Sequence, residues 1–224
     1  MTETKTAARS SLTRERVVDR ALAVADADGI EAVTIRRLAT ELGVTPMALY
    51  WHFKTKDDLL AGTADRLLDD VVVPDGTGDW AADLGAVLGV LVAAMRPHPQ
   101  VAPLLAQRML ATPTGLQLTE RALASLDTAG FAPEPASALA MQALRSAIAM
   151  VTGDPVDDAS RSGEDHDERL RQKQALLASL SPEKYPTLAT HAAAMTWCGA
   201  DTYVEVGIDL FVAGVRGLAA DLDR

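Results

Sequence analysis

Apolar positions recur at intervals of three and four residues along most of the chain, in segments separated by glycine, proline and polar stretches. In Leu12-Thr13-Arg14-Glu15-Arg16-Val17, Thr13 can cap a helix, and Leu12 and Val17 occupy the two positions of a hydrophobic staple. Val17, Val18, Ala21, Leu22 and Ala25 share one face and Gly29 supplies a stop, which predicts a helix over 13–28. A short second helix follows Thr34, with Leu38 and Leu42 inward and Gly43 at its C-terminal turn. Thr45-Pro46 opens a third helix, because proline at the first helical position misses no backbone N–H. It carries Met47, Leu49, Tyr50, Trp51 and Phe53. Two short helices joined by a tight glycine turn form a helix-turn-helix.

Thr55 caps a fourth helix, predicted to run to about Val73, where Pro74-Asp75-Gly76-Thr77-Gly78 breaks the chain. Trp80, Leu84, Val87, Leu88, Leu91 and Met95 form the stripe of a fifth helix, ended by Pro97 and Pro99. Further helices are expected over 100–110, 114–129, 134–151, 167–180, 188–198 and 201–222. The acidic stretch 154–167 has almost no apolar residue and reads as a solvated loop. No segment alternates with period two, so the fold class is all-α, with the fourth helix joining two regions.

Hydrophobic residues make up 48% of the chain and aromatics 4%, so Ala, Leu, Val and Met must build the core, a mixture suited to helices. Cys198 is the sole cysteine, which excludes an internal disulfide and a zinc site of several thiolates. The first dozen residues are polar, and the longest apolar run, 84–95, is far short of the ~20 residues a membrane span needs. A soluble cytoplasmic protein with no membrane association is expected. The net charge of -10 argues against nucleic acid until its distribution is considered. Residues 1–56 carry +2 and residues 57–224 carry -12, while 34–56 alone hold four basic residues and one acidic. The cationic footprint is local, as for a small reading head on an acidic body.

The segment Thr34 to Lys56, with Leu38-Ala39, Leu42-Gly43-Val44, Leu49-Tyr50-Trp51-His52-Phe53, Lys54 and Lys56 followed by Leu59-Leu60, closely resembles the DNA-binding domain of the tetracycline-repressor (TetR) family. The resemblance implies an N-terminal three-helix DNA-binding domain over 1–60 and a C-terminal helical-bundle domain for ligand binding and dimerisation over 61–224. On a helix beginning at Pro46, Leu49 and Phe53 face inward, whereas Met47, Tyr50, Trp51 and Lys54 lie near the opposite face and would enter the major groove. Lys56 is placed like the family's phosphate-binding lysine at a helix start. Thr45, His52 and Lys54 suit further phosphate contacts, and Arg36 matches a guanine-reading position. The DNA-binding set is thus Arg36, Thr45, Pro46, Met47, Tyr50, Trp51, His52, Lys54 and Lys56. Trp51 has a second reading, as a seal between the third and fourth helices. Pro46, Met47 and Ala48 replace polar base-reading groups of the tetracycline repressors, so a different operator is expected.

In the larger half, Met95, Met109, Met141 and Trp197 are candidate cavity residues, because methionine adapts to irregular apolar shapes and large aromatics line ligand pockets. Each one singly is more often plain core. Gln142 and Arg145, one turn apart, either orient a ligand or lie on an exposed stripe. Val72 stands where the tetracycline repressors have a histidine, so tetracycline itself is not expected. Val204, Gly207, Leu210, Phe211, Gly214 and Leu218 make a stripe on which a second copy can pack, or else serve as internal core. His98, His166 and His191 belong to no catalytic constellation, and Asp165-His166-Asp167 lacks a fourth metal ligand. No enzyme activity, metal or cofactor is expected. The reading is a homodimeric regulator, a repressor released from palindromic double-stranded operator DNA by an apolar or amphipathic small molecule.

Overall fold

The computed structural model of the chain describes residues 12–153, 164–196 and 199–222. Among these, ten α-helices account for the regular structure together with three short 3-10 turns. The head consists of α1 (Arg14–Asp28), α2 (Ile35–Leu42) and α3 (Pro46–Tyr50). One device starts all three and the next helix as well: Thr13, Thr34, Thr45 and Thr55 each accept a hydrogen bond from the backbone N–H three residues on. Each such cap is worth roughly 1 kcal/mol. Gly43 takes the left-handed conformation (φ 68°) that closes the turn between α2 and α3. Val17, Ala21, Leu38, Leu49 and Phe53 are fully buried and form the head's core.

Helix α4 (Lys56–Asp69) buries Leu59, Ala64, Leu67 and Leu68 against α1 on one side and the larger body on the other. It therefore straddles the expected boundary at residue 60. It also stops four residues short of the expected end at Val73. Val71-Val72-Val73 is β-branched and precedes Pro74, a combination that disfavours helical backbone. The following linker is pinned by Asp83, whose carboxylate accepts from the N–H and the hydroxyl of Thr77, both at 2.8 Å.

Helices α5 (Trp80–Met95), α6 (Pro113–Thr128) and α7 (Pro133–Thr152) pack mutually and form the centre of the body. The stretch 100–110, expected as a helix, is instead two 3-10 turns, Ala102–Gln107 and Met109–Ala111. Pro103 lacks the N–H an α-helix would use, and the run is too short to recover from that loss. Helix α8 (Glu164–Ala178) begins earlier than expected, at Glu164 rather than Asp167. The remainder of the expected acidic loop, 154–163, lies outside the described residues. Helices α8 and α9 (Pro186–Thr196) form a hairpin that packs mainly on itself.

Helix α10 (Ala200–Leu222) packs on α5 and α7. It presents two apolar faces rather than the single expected stripe. Val204, Ile208, Phe211, Val212 and Val215 turn to the chain's own core, and Gly207 lies against the Met150 side chain. Val206, Leu210, Gly214, Gly217 and Leu218 face outward. Among the described residues no helix is long and apolar enough to cross a membrane.

Candidate nucleic-acid interface and ligand cavity

With Leu49 and Phe53 anchoring α3 inward, the rest of that helix is left uncovered: Met47 is 67% exposed, Tyr50 44% and Trp51 78%. Trp51 at that exposure does not seal the junction between α3 and α4. Arg36, Thr45, Pro46 and Lys54 are also exposed, while His52 and Lys56 are half-buried. Thr45 uses an oxygen lone pair to cap α3, accepting from Ala48 N–H at 3.3 Å, and this leaves its hydroxyl proton available as a donor. Lys54 Nζ donates to the Tyr50 carbonyl at 3.1 Å and sits 5.6 Å from the centroid of the Trp51 ring. The ammonium thus stabilises the C-terminal end of α3 while remaining at the surface.

Two neighbours shape this face that the sequence reading did not single out. Arg14 stacks on Phe53 at 4.1 Å and donates to the His52 carbonyl at 2.7 Å, which fixes the end of α3 to α1. Glu31 accepts from Lys56 Nζ at 3.1 Å, so the lysine is already engaged by a carboxylate that is itself 92% exposed. Of the pair Arg36-Arg37, the second turns to Asp28 and Glu41. Glu31 and Lys56 are 25 residues apart, and no local pattern marks such a pair.

A cavity of about 400 Å³ opens between α5, α6, α7 and the 3-10 turns. Met109 and Met141 line it, together with Leu91, Leu118 and Leu144. Met95 is fully buried in the core and does not border it, and Trp197 lies outside the described residues. Gln142 and Arg145 are exposed and do not line it either. Among the described residues its polar side chains are Thr119 and Ser137, whose hydroxyls donate to the carbonyls of Gly115 and Pro133 at 2.8 and 2.7 Å. Their protons are spent, so in this arrangement both offer only lone pairs. Val72 does not reach this cavity; it borders a groove on the other side of α4. Among the described residues no group of His, Cys, Asp and Glu is arranged to hold a metal ion.

The cavity wall is tied to the head. Arg108, between the two 3-10 turns, makes a two-pronged pair with Asp65 of α4, Nε to Oδ1 at 2.7 Å and Nη2 to Oδ2 at 2.8 Å. Both side chains are about three-quarters buried, and the guanidinium holds its proton more firmly than usual because of Asp65. Such a planar fork fixes direction as well as distance.

A helix-turn-helix head with an uncovered third helix, set on an all-helical body that carries an apolar cavity, defines the class of the protein. The head matches the model of bacterial regulatory proteins of the tetR family over residues 17–63, and the body matches the tetracyclin repressor-like C-terminal domain over residues 74–218. The chain belongs to the TetR family. It is 36% identical over 121 residues to an HTH-type transcriptional regulator of Saccharopolyspora erythraea, covering 54% of this chain and 51% of that protein. It is 30% identical over 210 residues to the class C tetracycline repressor protein of Escherichia coli, covering 92% of each. The chain thus spans about half the length of the first relative and nearly all of the second. Among solved structures, Streptomyces coelicolor ActR in complex with actinorhodin superimposes with a TM-score of 0.74 at 27% identity, covering 94% of this chain and 99% of that one. These relatives are regulators rather than enzymes.

Proposed function

We propose that the chain is a transcriptional repressor that binds operator DNA through Arg36, Thr45, Pro46, Met47, Tyr50, Trp51, His52, Lys54 and Lys56 and leaves it when a small molecule fills the cavity between α5, α6 and α7. The observation that carries this reading is the uncovered outer face of α3, flanked by Arg36, Lys54 and Lys56 on a chain that is acidic elsewhere. Met47 and the Tyr50 ring suit thymine methyls, and the cations suit phosphates.

The effector this cavity suits is neutral and largely apolar, with hydrogen-bond donors for Thr119 and Ser137. ActR, which binds actinorhodin, supports a small-molecule effector for this chain too. An occupant that displaces Ala106 or Met109 moves Arg108, which lies between them in sequence, and Arg108 carries the displacement through Asp65 to α4, whose first residue is Lys56. Coupling of this kind requires different affinities of the ligand for the DNA-competent and DNA-released arrangements.

The outward face of α10 and the exposed Leu176, Leu188 and Met195 of the α8–α9 hairpin suit packing against a second copy in the cytoplasm. Two heads about one DNA turn apart, ~34–36 Å, then meet a palindrome. Neutral apolar compounds are screened for thermal stabilisation, and operator affinity is measured with and without each that binds. A fall in affinity is expected, whereas a tight cavity ligand that leaves it unchanged removes the mechanism.

A further inference from the structure

Apart from the cavity just described, a groove of about 640 Å³ lies between the head and the body. Its walls come from α1, from the end of α4 with the residues after it, and from the end of α5. Leu22, Leu67, Val71, Val90, Ala94 and Pro97 make them apolar. Val72, at 81% exposed, hangs at the edge, an apolar side chain with little packing of its own.

Charge at the mouth is one-sided. Asp19, Asp26 and Asp70 line the groove, against Arg66 and His98. The Arg66 guanidinium is divided among three carboxylates, Asp19 at 3.0 Å, Asp70 at 2.8 Å and Asp69 at 3.9 Å. Asp26 Oδ2 lies 2.8 Å from His98 Nδ1. One guanidinium cannot neutralise three carboxylates, so negative charge remains in excess beside an apolar wall. Beside them, partial burial raises the Asp69 carboxyl above the usual range, and Asp70, Asp65 and Asp19 oppose the lowering by Arg66.

We infer that this head–body groove is a second ligand site, distinct from the α5–α6–α7 cavity, and that it takes an organic cation, an apolar body carrying an ammonium charge. The apolar part displaces water from Leu22, Val71, Val90 and Pro97 while the charge sits among Asp19, Asp26 and Asp70. A cation is favoured over an anion because the groove's carboxylates outnumber its cationic side chains. It is favoured over a neutral molecule because an ammonium gains attraction from these carboxylates that a neutral group does not. Its occupant touches α1 and α5 together and so restrains the head against the body, whatever the head binds.

The probes are phenylbutyltrimethylammonium and, as its neutral counterpart, phenylbutanol, titrated into the full-length protein by calorimetry without DNA. Variants are Asp26→Asn with Asp70→Asn, which remove charge at solvent-accessible positions, Ala93→Trp, which fills the groove, and Ala140→Phe, which fills the other cavity. Circular dichroism identifies any variant that does not fold, and the charge variant then decides. The cation is expected to bind the wild type and to lose about fivefold in affinity per carboxylate neutralised. Its binding should disappear in Ala93→Trp and survive in Ala140→Phe, and phenylbutanol should bind more weakly throughout. No binding heat, equal affinity for the alcohol, indifference to the Asp→Asn pair, or loss in Ala140→Phe alone would each overturn the assignment. Failure of operator release by cavity ligands would leave these outcomes untouched, so the two readings fail separately.

Discussion

Under the proposed function Lys56 would be contested between two anions. Glu31 holds its ammonium at 3.1 Å, and a DNA phosphate would have to take Glu31's place. Lys56→Ala should weaken binding to all duplexes and lower the slope of log affinity against log salt by about one. Glu31→Gln should raise affinity for every duplex, since it frees the same lysine. Fluorescence anisotropy over a salt series reads both, and a slope unchanged in Lys56→Ala would show that this lysine misses the phosphate. Asp83 supplies a pH test at the same scale. Hydrogen bonds from Thr77 hold its carboxyl below the ordinary carboxylate range. Its stabilisation is therefore present above the unfolded-state value and lost as pH falls through the depressed folded one. Urea unfolding from neutral to acid pH should show wild type losing more stability than Asp83→Asn, and parallel curves would contradict it. The exposed set on α3 was legible in the sequence because Thr45-Pro46 sets where the helix begins and so which side chains face outward. Arg14, Glu31 and Asp65 were not, because their partners lie 25 to 44 residues away and no periodicity encodes such pairs.

At the level of elements, caps and apolar spacing located nearly every helix, and the errors lie where backbone chemistry overrides apolar content. Val71-Val72-Val73 before Pro74 ended α4 early, and Pro103 turned an expected helix into two 3-10 turns. That second departure matters for function, since these turns both line the cavity and carry Arg108. Gly115 in the first turn of α6 is pressed against the Met109 backbone, and an added Cβ would fall well inside contact distance of the Met109 carbonyl. Gly115→Ala should cost about 1–3 kcal/mol by thermal or urea unfolding; wild-type stability would show the turn can yield. Arg108→Gln should leave cavity ligands binding while shrinking the difference in operator affinity that they cause. An undiminished difference would place the coupling elsewhere. The two faces of α10 show a limit of another kind. Periodicity announces that a helix is apolar on more than one side, but only the packing of α5 and α7 decides which side is spent internally.

Across the whole molecule, charge divides the labour. The body is acidic, while residues 34–56 hold four basic residues and one acidic, so under the proposed function DNA is met head-first. The outward face of α10 suits a second copy, which would set two heads side by side. Both the class of fold and the position of the uncovered helix α3 were therefore apparent from the sequence, whereas the cavity, the head–body groove and the Arg108–Asp65 tie needed the chain's three-dimensional course. The most direct measurement is selection of duplexes from a random library by the full-length protein at physiological and low salt. Enrichment of a palindrome with half-sites about one helical turn apart, abolished by alanine at Tyr50, is the expected result. No enriched sequence at either salt concentration, with Tyr50 and Lys56 intact, would contradict the assignment of α3 as a reading helix.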